Sequence, residues 1–69
     1  MIDEKTIEKA IYNLEMGRVY ELELYRDGHH YATVREIGNY ELEMGYGDCW
    51  KLWAEGRKYP YVFDDIEER

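Results

Sequence analysis

Two nearly identical runs constrain this chain more than any other feature of its sequence. Residues 20–24 read Tyr-Glu-Leu-Glu-Leu, and residues 40–44 read Tyr-Glu-Leu-Glu-Met. Both alternate apolar and acidic residues with a period of two, which in a β-strand sends successive side chains to opposite faces of the sheet. The pattern therefore predicts two half-buried strands, each presenting a pair of carboxylates on its outer face.

The length of the chain, 69 residues, predicts one small domain covering residues 1–69. Its only cysteine, Cys49, excludes an internal disulfide and suits a reducing compartment. No signal peptide is visible, and no apolar run approaches the roughly 20 residues that span a bilayer. We therefore expect a cytoplasmic protein, either a monomer or a homodimer.

The charge balance restricts the classes of partner. Sixteen acidic and nine basic residues give a net charge of −7. A field of this sign repels nucleic acid and anionic membranes, so neither is expected to bind directly. A basic surface on a protein partner is favoured, and solubility alone is the alternative. Eight tyrosines and two tryptophans are also more aromatic side chains than so short a chain can bury, and protein interfaces concentrate both types.

The chain is predicted to begin with a helix over residues 3–16. Ile7, Ala10, Ile11 and Leu14 form one apolar stripe at helical spacing, and Gly17 follows at the position of a C-terminal cap. Strands are predicted at about 18–26, 30–37, 39–45, 49–54 and 59–63. The segment 49–54 can also be a short helix, and the acidic tail 64–69 is expected to be frayed or a short helical turn.

We predict an α+β fold in which this N-terminal helix packs on an antiparallel four- or five-stranded β-meander. If the first strand buries Tyr20, Leu22 and Leu24, its best partners are Val34 for Leu22 and Ala32 for Leu24. This register centres the connection on Gly28 and predicts a loop of odd length. The same logic pairs the second and third strands around Gly38, with Val34 opposite Leu42 and Ala32 opposite Met44. The helix is then expected to cover Leu22, Leu24, Ala32, Val34, Leu42 and Met44.

On the outer face, this meander predicts an acidic array. Glu21 and Glu41 flank Arg35, while Glu23 and Glu43 flank Thr33. Carboxylates about 7 Å apart along strands and about 5 Å apart across them give a regular negative charge, which resembles the phosphates of a nucleic acid. The alternative is an ordinary solvated sheet face. The predicted partner-binding residues are Glu21, Glu23, Glu41, Glu43, Tyr25, Tyr31, Trp53, Asp64 and Asp65.

Other groups of residues suggest chemistry only weakly. Asp27, His29 and His30 resemble metal ligands, but adjacent histidines on a strand point to opposite faces. Cys49 lies in an acidic sequence, which opposes activation of its thiol. The paired glutamates suit a glycosidase in spacing, although a chain of this size has little room for a cleft. We expect no catalytic residue, no metal and no cofactor, and therefore no enzyme.

The aromatic residues of the last two strands offer a further alternative. Alternation buries Trp50, Leu52 and Ala54 and turns Trp53 outward. The outward aromatics, with Lys51, Arg57 and Lys58, can in principle stack on nucleic-acid bases, but the net charge favours a protein partner.

The sequence thus predicts a binding protein. In size and charge it resembles small acidic phage proteins that disarm bacterial defence nucleases, the anti-CRISPR class among them, which share no diagnostic motif from which residue roles can be transferred. The resemblance implies an inhibitor that mimics nucleic acid and occupies a basic groove, in the host cytoplasm if the protein is phage-encoded. The alternative is a small adaptor or subunit that binds a partner through exposed aromatics.

Overall fold

Helix α1 spans Glu4–Glu15 in the computed structural model, which describes residues 2–69. Asp3 caps its start, since its Oδ1 accepts a hydrogen bond from the Thr6 N–H at 2.8 Å. At the other end Gly17 takes a left-handed conformation with φ of +74°, and the Arg18 N–H donates to the Asn13 carbonyl at 2.8 Å. This Schellman geometry closes the helix, and the predicted bounds are correct to within one residue at each end.

Six strands follow within residues 2–69. They are β1 Leu22–Arg26, β2 His29–Val34, β3 Tyr40–Met44, β4 Trp50–Ala54, β5 Tyr61–Phe63 and β6 Asp65–Glu68. They form two three-stranded antiparallel sheets, which we call sheet 1, with the order β2-β1-β6, and sheet 2, with the order β3-β4-β5. The α+β class is confirmed. The single four- or five-stranded meander is not confirmed, because β2 and β3 lie in different sheets.

The β1–β2 hairpin has the predicted register. Leu22 lies opposite Val34, and Leu24 lies opposite Ala32. The loop is tighter than predicted, because Asp27 and Gly28 both have positive φ, 52° and 78°, as a two-residue type I′ turn requires. The odd residue count is absorbed by a β-bulge next to Leu24, at which Tyr31 is the extra residue.

The predicted pairing of β2 with β3 is wrong. Leu42 lies opposite Leu52 and Met44 opposite Trp50, so β3 pairs with β4. The reason lies in the connection between β2 and β3, where Ile37 is buried in the core and its carbonyl accepts a hydrogen bond from the Glu55 N–H at 2.9 Å. A tight hairpin at this point would leave Ile37 without a place in the core.

Two residues of the predicted buried set are exposed. Met44, at the end of β3, is 46% exposed. Tyr20 is 89% exposed, because it precedes β1 and its N–H donates to the Arg69 carbonyl. The strand predicted from residue 18 therefore begins only at Leu22. The second predicted strand likewise ends at Val34 instead of residue 37.

The prediction of a frayed tail or a short helical turn is wrong as well, since residues 65–68 form β6 and pair along β1. Asp64 alone separates β5 from β6, so the chain passes directly from sheet 2 to sheet 1. At this corner the Asp64 N–H donates to the Tyr25 carbonyl at 2.9 Å, and Asp64 Oδ2 accepts from the Asp27 N–H at 3.0 Å. Ile66 packs against the core opposite Leu24.

The core lies between the helix and the two sheets. Segment 49–54 is a strand, not a helix, and alternation buries Trp50, Leu52 and Ala54 as predicted. The helix packs against β1 and β6. The buried apolar residues are Ile7, Ala10, Ile11, Leu14, Leu22, Leu24, Val34, Ile37, Trp50, Leu52, Ala54 and Phe63.

Candidate protein-binding surface

Glu23, a predicted partner-binding residue, is engaged within the fold. It is only 7% exposed, and its carboxylate accepts hydrogen bonds from Thr33 Oγ1 at 2.9 and 3.0 Å and contacts His30 Nε2. Hydrogen bonding by the Glu21 side chain, with Thr33 and His30, holds the pKa of Glu23 below its usual value, although burial acts in the opposite direction. Its carboxylate is therefore satisfied without a partner.

The predicted four-glutamate array does not assemble. Glu21 pairs with Arg35 as predicted, at 3.1 Å. The predicted contacts of Arg35 with Glu41 and of Thr33 with Glu43 are wrong, because both of these glutamates lie on β3 in sheet 2. The two acidic runs thus belong to different surfaces, and the one on sheet 1 is largely compensated.

Of the other predicted residues on or next to sheet 1, Asp64 and Tyr25 also have internal roles. Asp64 accepts a hydrogen bond from the Asp27 N–H at the corner between the two sheets. Tyr25 is half-buried and packs edge-on against His30, with ring centroids 5.7 Å apart. Tyr31 is the exposed bulge residue and Asp65 lies exposed on β6, so these two remain accessible.

On sheet 2, Glu41 and Glu43 are both exposed. Trp53 lies opposite Glu41 and is half-buried, so less of it is free to anchor a partner than predicted. Lys51 lies opposite Glu43, yet the ion pairs found among residues 2–69 do not join them. These two carboxylates therefore keep their charge unneutralised.

The helix adds acidic residues that are not among the predicted partner-binding residues. Glu4, Glu8 and Glu15 fall on one flank of α1, as their spacing along a helix dictates. Burial, followed by the charges of Glu8 and Glu4, raises the pKa of Tyr40, the first residue of β3. Helical spacing alone would have grouped these glutamates, but their approach to β3 depends on the tertiary packing.

A further acidic cluster surrounds Gly38, just before β3. Glu15 accepts a hydrogen bond from the Gly38 N–H, so the end of the helix is tied to this connection. A shallow cavity of about 320 Å³ opens here, and it is lined by Glu15, Glu36, Ile37, Gly38 and Glu55. Gly38 has φ of +68°, and a Cβ at this position would overlap the Glu55 side chain. The glycine thus permits the carboxylates to converge.

We call these carboxylates around β3 the β3 surface. It comprises Glu4, Glu8, Glu15, Glu36, Glu41, Glu43 and Glu55, all of them exposed. The ion pairs of the described chain join Glu21, Glu23 and Glu67 to Arg35, His30 and Arg69, respectively. No glutamate of the β3 surface takes part in any ion pair among residues 2–69, so this region concentrates the uncompensated negative charge.

The cations of the β4–β5 loop are engaged with neighbouring tyrosines. The Arg57 guanidinium carbon lies 3.7 Å from the centroid of the Tyr61 ring, and Lys58 Nζ lies 5.8 Å from that of Tyr59. Such cation–π contacts compete with stacking on nucleic-acid bases.

Three further findings describe the whole of residues 2–69. No three His, Cys, Asp or Glu side chains in this part of the chain are placed to hold a metal ion. None of its helices has the length and apolar character to cross a membrane. Cys49 is a free, half-buried thiol.

Comparison with protein families, curated proteins and solved structures found no match.

Proposed function

We propose that this chain is a small inhibitor that occupies the basic groove of a nucleic-acid-handling protein in place of nucleic acid. The observation that supports the proposal is the β3 surface, whose seven exposed glutamates lie on β3, on the segments next to Gly38 and on helix α1. None of them forms an ion pair within residues 2–69. This surface replaces the four-glutamate array predicted from the sequence.

The spacing of these carboxylates suits such a role. Glu41 and Glu43 stand about 7 Å apart along β3, and Glu4 and Glu8 are separated by a rise of about 6 Å along the helix. Nucleic-acid backbones present a negative charge at similarly short intervals, about every 3.4 Å of axis for each strand. Because like charges this close repel one another, binding to a cationic groove relieves a repulsion that the free protein carries.

The partner we propose is a nuclease or another nucleic-acid-binding effector of bacterial defence, met in the cytoplasm of a phage-infected host. The chain's small size and its net charge of −7 support this proposal. Binding is expected to be fast and to weaken steeply with salt, because it is steered by charge.

A pair of charge-matched variants tests the proposal. The first, Glu8→Gln/Glu41→Gln/Glu43→Gln, removes three charges from the β3 surface. The second, Glu21→Gln/Asp65→Asn/Glu67→Gln, removes two from β6 in sheet 1 and one from the residue that precedes β1. Each immobilised protein is used at low and high salt to capture basic nucleic-acid-binding proteins from a bacterial lysate. The captured proteins are then challenged with double-stranded DNA and assayed for nuclease activity.

We expect the wild-type chain to capture a protein that DNA displaces and whose nucleic-acid activity the chain inhibits. The β3-surface variant should lose this capture, while the sheet 1 variant should retain it. Equal losses in both variants would show that only net charge matters, and capture that DNA does not displace would contradict the proposal.

A second candidate, the adaptor that binds through aromatics, is favoured by one residue. Tyr46, in the loop between β3 and β4, is 95% exposed, and tyrosine is enriched in the energetic centres of protein interfaces. For an adaptor, Tyr46→Ala should weaken binding more than the β3-surface variant does, and binding should depend little on salt.

A further inference from the structure

The outer edge of β3 has main-chain groups that no other strand pairs. Gly45 N–H donates to the Cys49 carbonyl directly opposite at 2.7 Å. Because antiparallel ladders alternate, the N–H and C=O of Glu41 and Glu43 also point toward β4. Those of Tyr40, Leu42 and Met44 point away from β4.

These outward groups are unpaired within residues 2–69. The hydrogen bonds of the turns, loops, caps and side chains in this part of the chain do not involve the main-chain atoms of Tyr40, Leu42 or Met44. An open edge of this kind is a template for pairing with another strand.

Among the four edges of the two sheets, that of β3 is best suited to accept a strand. Its five residues pair with β4 without a register shift. The β2 edge is interrupted by the bulge at Tyr31, which bends and twists a strand. The β5 edge has only three residues and follows Pro60, which lacks an N–H. The β6 edge has four residues, and helix α1 packs against this strand.

The charges on β3 determine which strand can be added. An added strand would meet Glu41 and Glu43 at positions that are not hydrogen-bonded to it, where facing Cα atoms are only about 4.5 Å apart. A second copy paired antiparallel around Leu42 would place Glu41 against Glu43 twice, and like charges directly opposite each other are destabilising. Lysine or arginine at the same positions would instead form cross-strand ion pairs.

From this geometry we infer that the open edge of β3 binds an extended basic segment of a protein partner by β-strand addition. The inference rests on the proposed function, since it states how the basic partner is held. Main-chain hydrogen bonds to Tyr40, Leu42 and Met44 align the segment. Its basic side chains pair with Glu41 and Glu43, which share one face of β3.

Amide hydrogen exchange, followed by NMR, tests this inference with a defined probe. The probe is a peptide of alternating lysine and valine, and the control peptide has glutamate in place of lysine. With the lysine peptide at ten times its dissociation constant, exchange of the outward amides of Leu42 and Met44 should slow by about tenfold. The amides of Glu41 and Glu43, already bonded to β4, should change little.

A variant pair tests the main-chain contribution separately. Met44→Pro removes an outward N–H without removing a bond to β4, whereas Met44→Val keeps it. The proline variant should bind the lysine peptide about tenfold more weakly, because it loses one hydrogen bond between uncharged groups, worth about 1.4 kcal/mol. The valine variant should bind as the wild type does. If the proline variant does not fold, the exchange measurement on the wild-type chain decides.

Slowed exchange at β2 instead of β3, or equal binding of the glutamate peptide, would overturn the inference. Protection of the same amides in concentrated protein without peptide would also overturn it, because it would indicate that a second copy occupies the edge. Failure of the proposed function is distinguishable from these. Strand addition without inhibition of any nucleic-acid-binding protein would refute the function alone, and inhibition with Leu42 and Met44 unprotected would refute only the mode of binding.

Discussion

Replacing Phe63 with alanine should destabilise the protein more than any exposed substitution, because this side chain belongs to the core cluster to which both sheets contribute. Phe63 is fully buried at the end of β5, one residue before the corner at Asp64. Truncating a buried phenylalanine costs about 3–5 kcal/mol, which includes the cavity left behind. A domain of 69 residues has a total stability of only about 3–10 kcal/mol at about 0.05–0.15 kcal/mol per residue.

The variant should therefore be partly or wholly unfolded at room temperature. Where it still folds, each kcal/mol lost lowers Tm by about 4–8 °C for a domain of this size, which amounts to a fall of about 12–40 °C. Urea and thermal unfolding followed by circular dichroism and tryptophan fluorescence measure the effect.

Two controls separate packing at the corner from a general aromatic effect. Phe63→Leu keeps most of the buried volume and should cost less than about 1.5 kcal/mol. Tyr59→Ala alters an exposed ring in the same part of the chain and should stay within about 0.5 kcal/mol of wild type. A Phe63→Ala variant that loses less than about 1 kcal/mol would contradict the reasoning, because the cavity estimate for a buried phenylalanine begins well above this value.

Two further predictions concern Glu23 and Gly38. The pKa of Glu23 in the folded protein lies below its usual value of 4.5, chiefly through hydrogen bonding with Glu21 and then with Thr33 and His30. Its contribution to stability is therefore present above about pH 4.5 and is lost as the pH falls through the folded-state pKa. Glu23→Gln should reduce the difference in urea midpoint between pH 6 and pH 3 relative to wild type, and an unchanged difference would place the acid sensitivity elsewhere. Gly38→Ala should cost about 1–3 kcal/mol, because alanine is strained at its positive φ and its Cβ displaces Glu55. Gly28→Ala, whose Cβ would meet nothing within 4 Å, should cost less in the same unfolding assay, and equal losses would argue against the contact with Glu55.

The sequence predicted the parts of the fold that local patterns determine. The helix follows from the spacing of Ile7, Ala10, Ile11 and Leu14, and its end follows from Gly17. The β1–β2 register follows from matching apolar residues across Gly28, since a shift by one residue would turn the apolar side chains to solvent. The alternation of Trp50, Leu52 and Ala54 likewise predicted which side of β4 is buried.

The parts that failed depend on competition between distant segments. Gly38 looks like the centre of a second hairpin, yet Ile37 beside it gains more from burial than from a position in a turn. The acidic composition of the tail predicts disorder. It gives no sign that Ile66 packs against the core or that β1 has an open edge with which the tail can pair. The prediction of the candidate site failed for the same reason. Glu21 and Glu41 occur in the same alternating sequence pattern, but the two runs belong to different sheets. Glu4 and Glu8 join β3 only through the packing of the helix.

The return of the chain to β1 through β6 has a consequence for synthesis on the ribosome. The β1–β2 hairpin can pair as soon as it emerges, whereas the other side of β1 stays bare until all of sheet 2 and the corner at Asp64 have been translated. Contacts between segments so far apart in sequence slow folding. A nascent chain stalled before residue 65 should therefore remain sensitive to proteases and open to chaperones, and become resistant once β6 is free to dock.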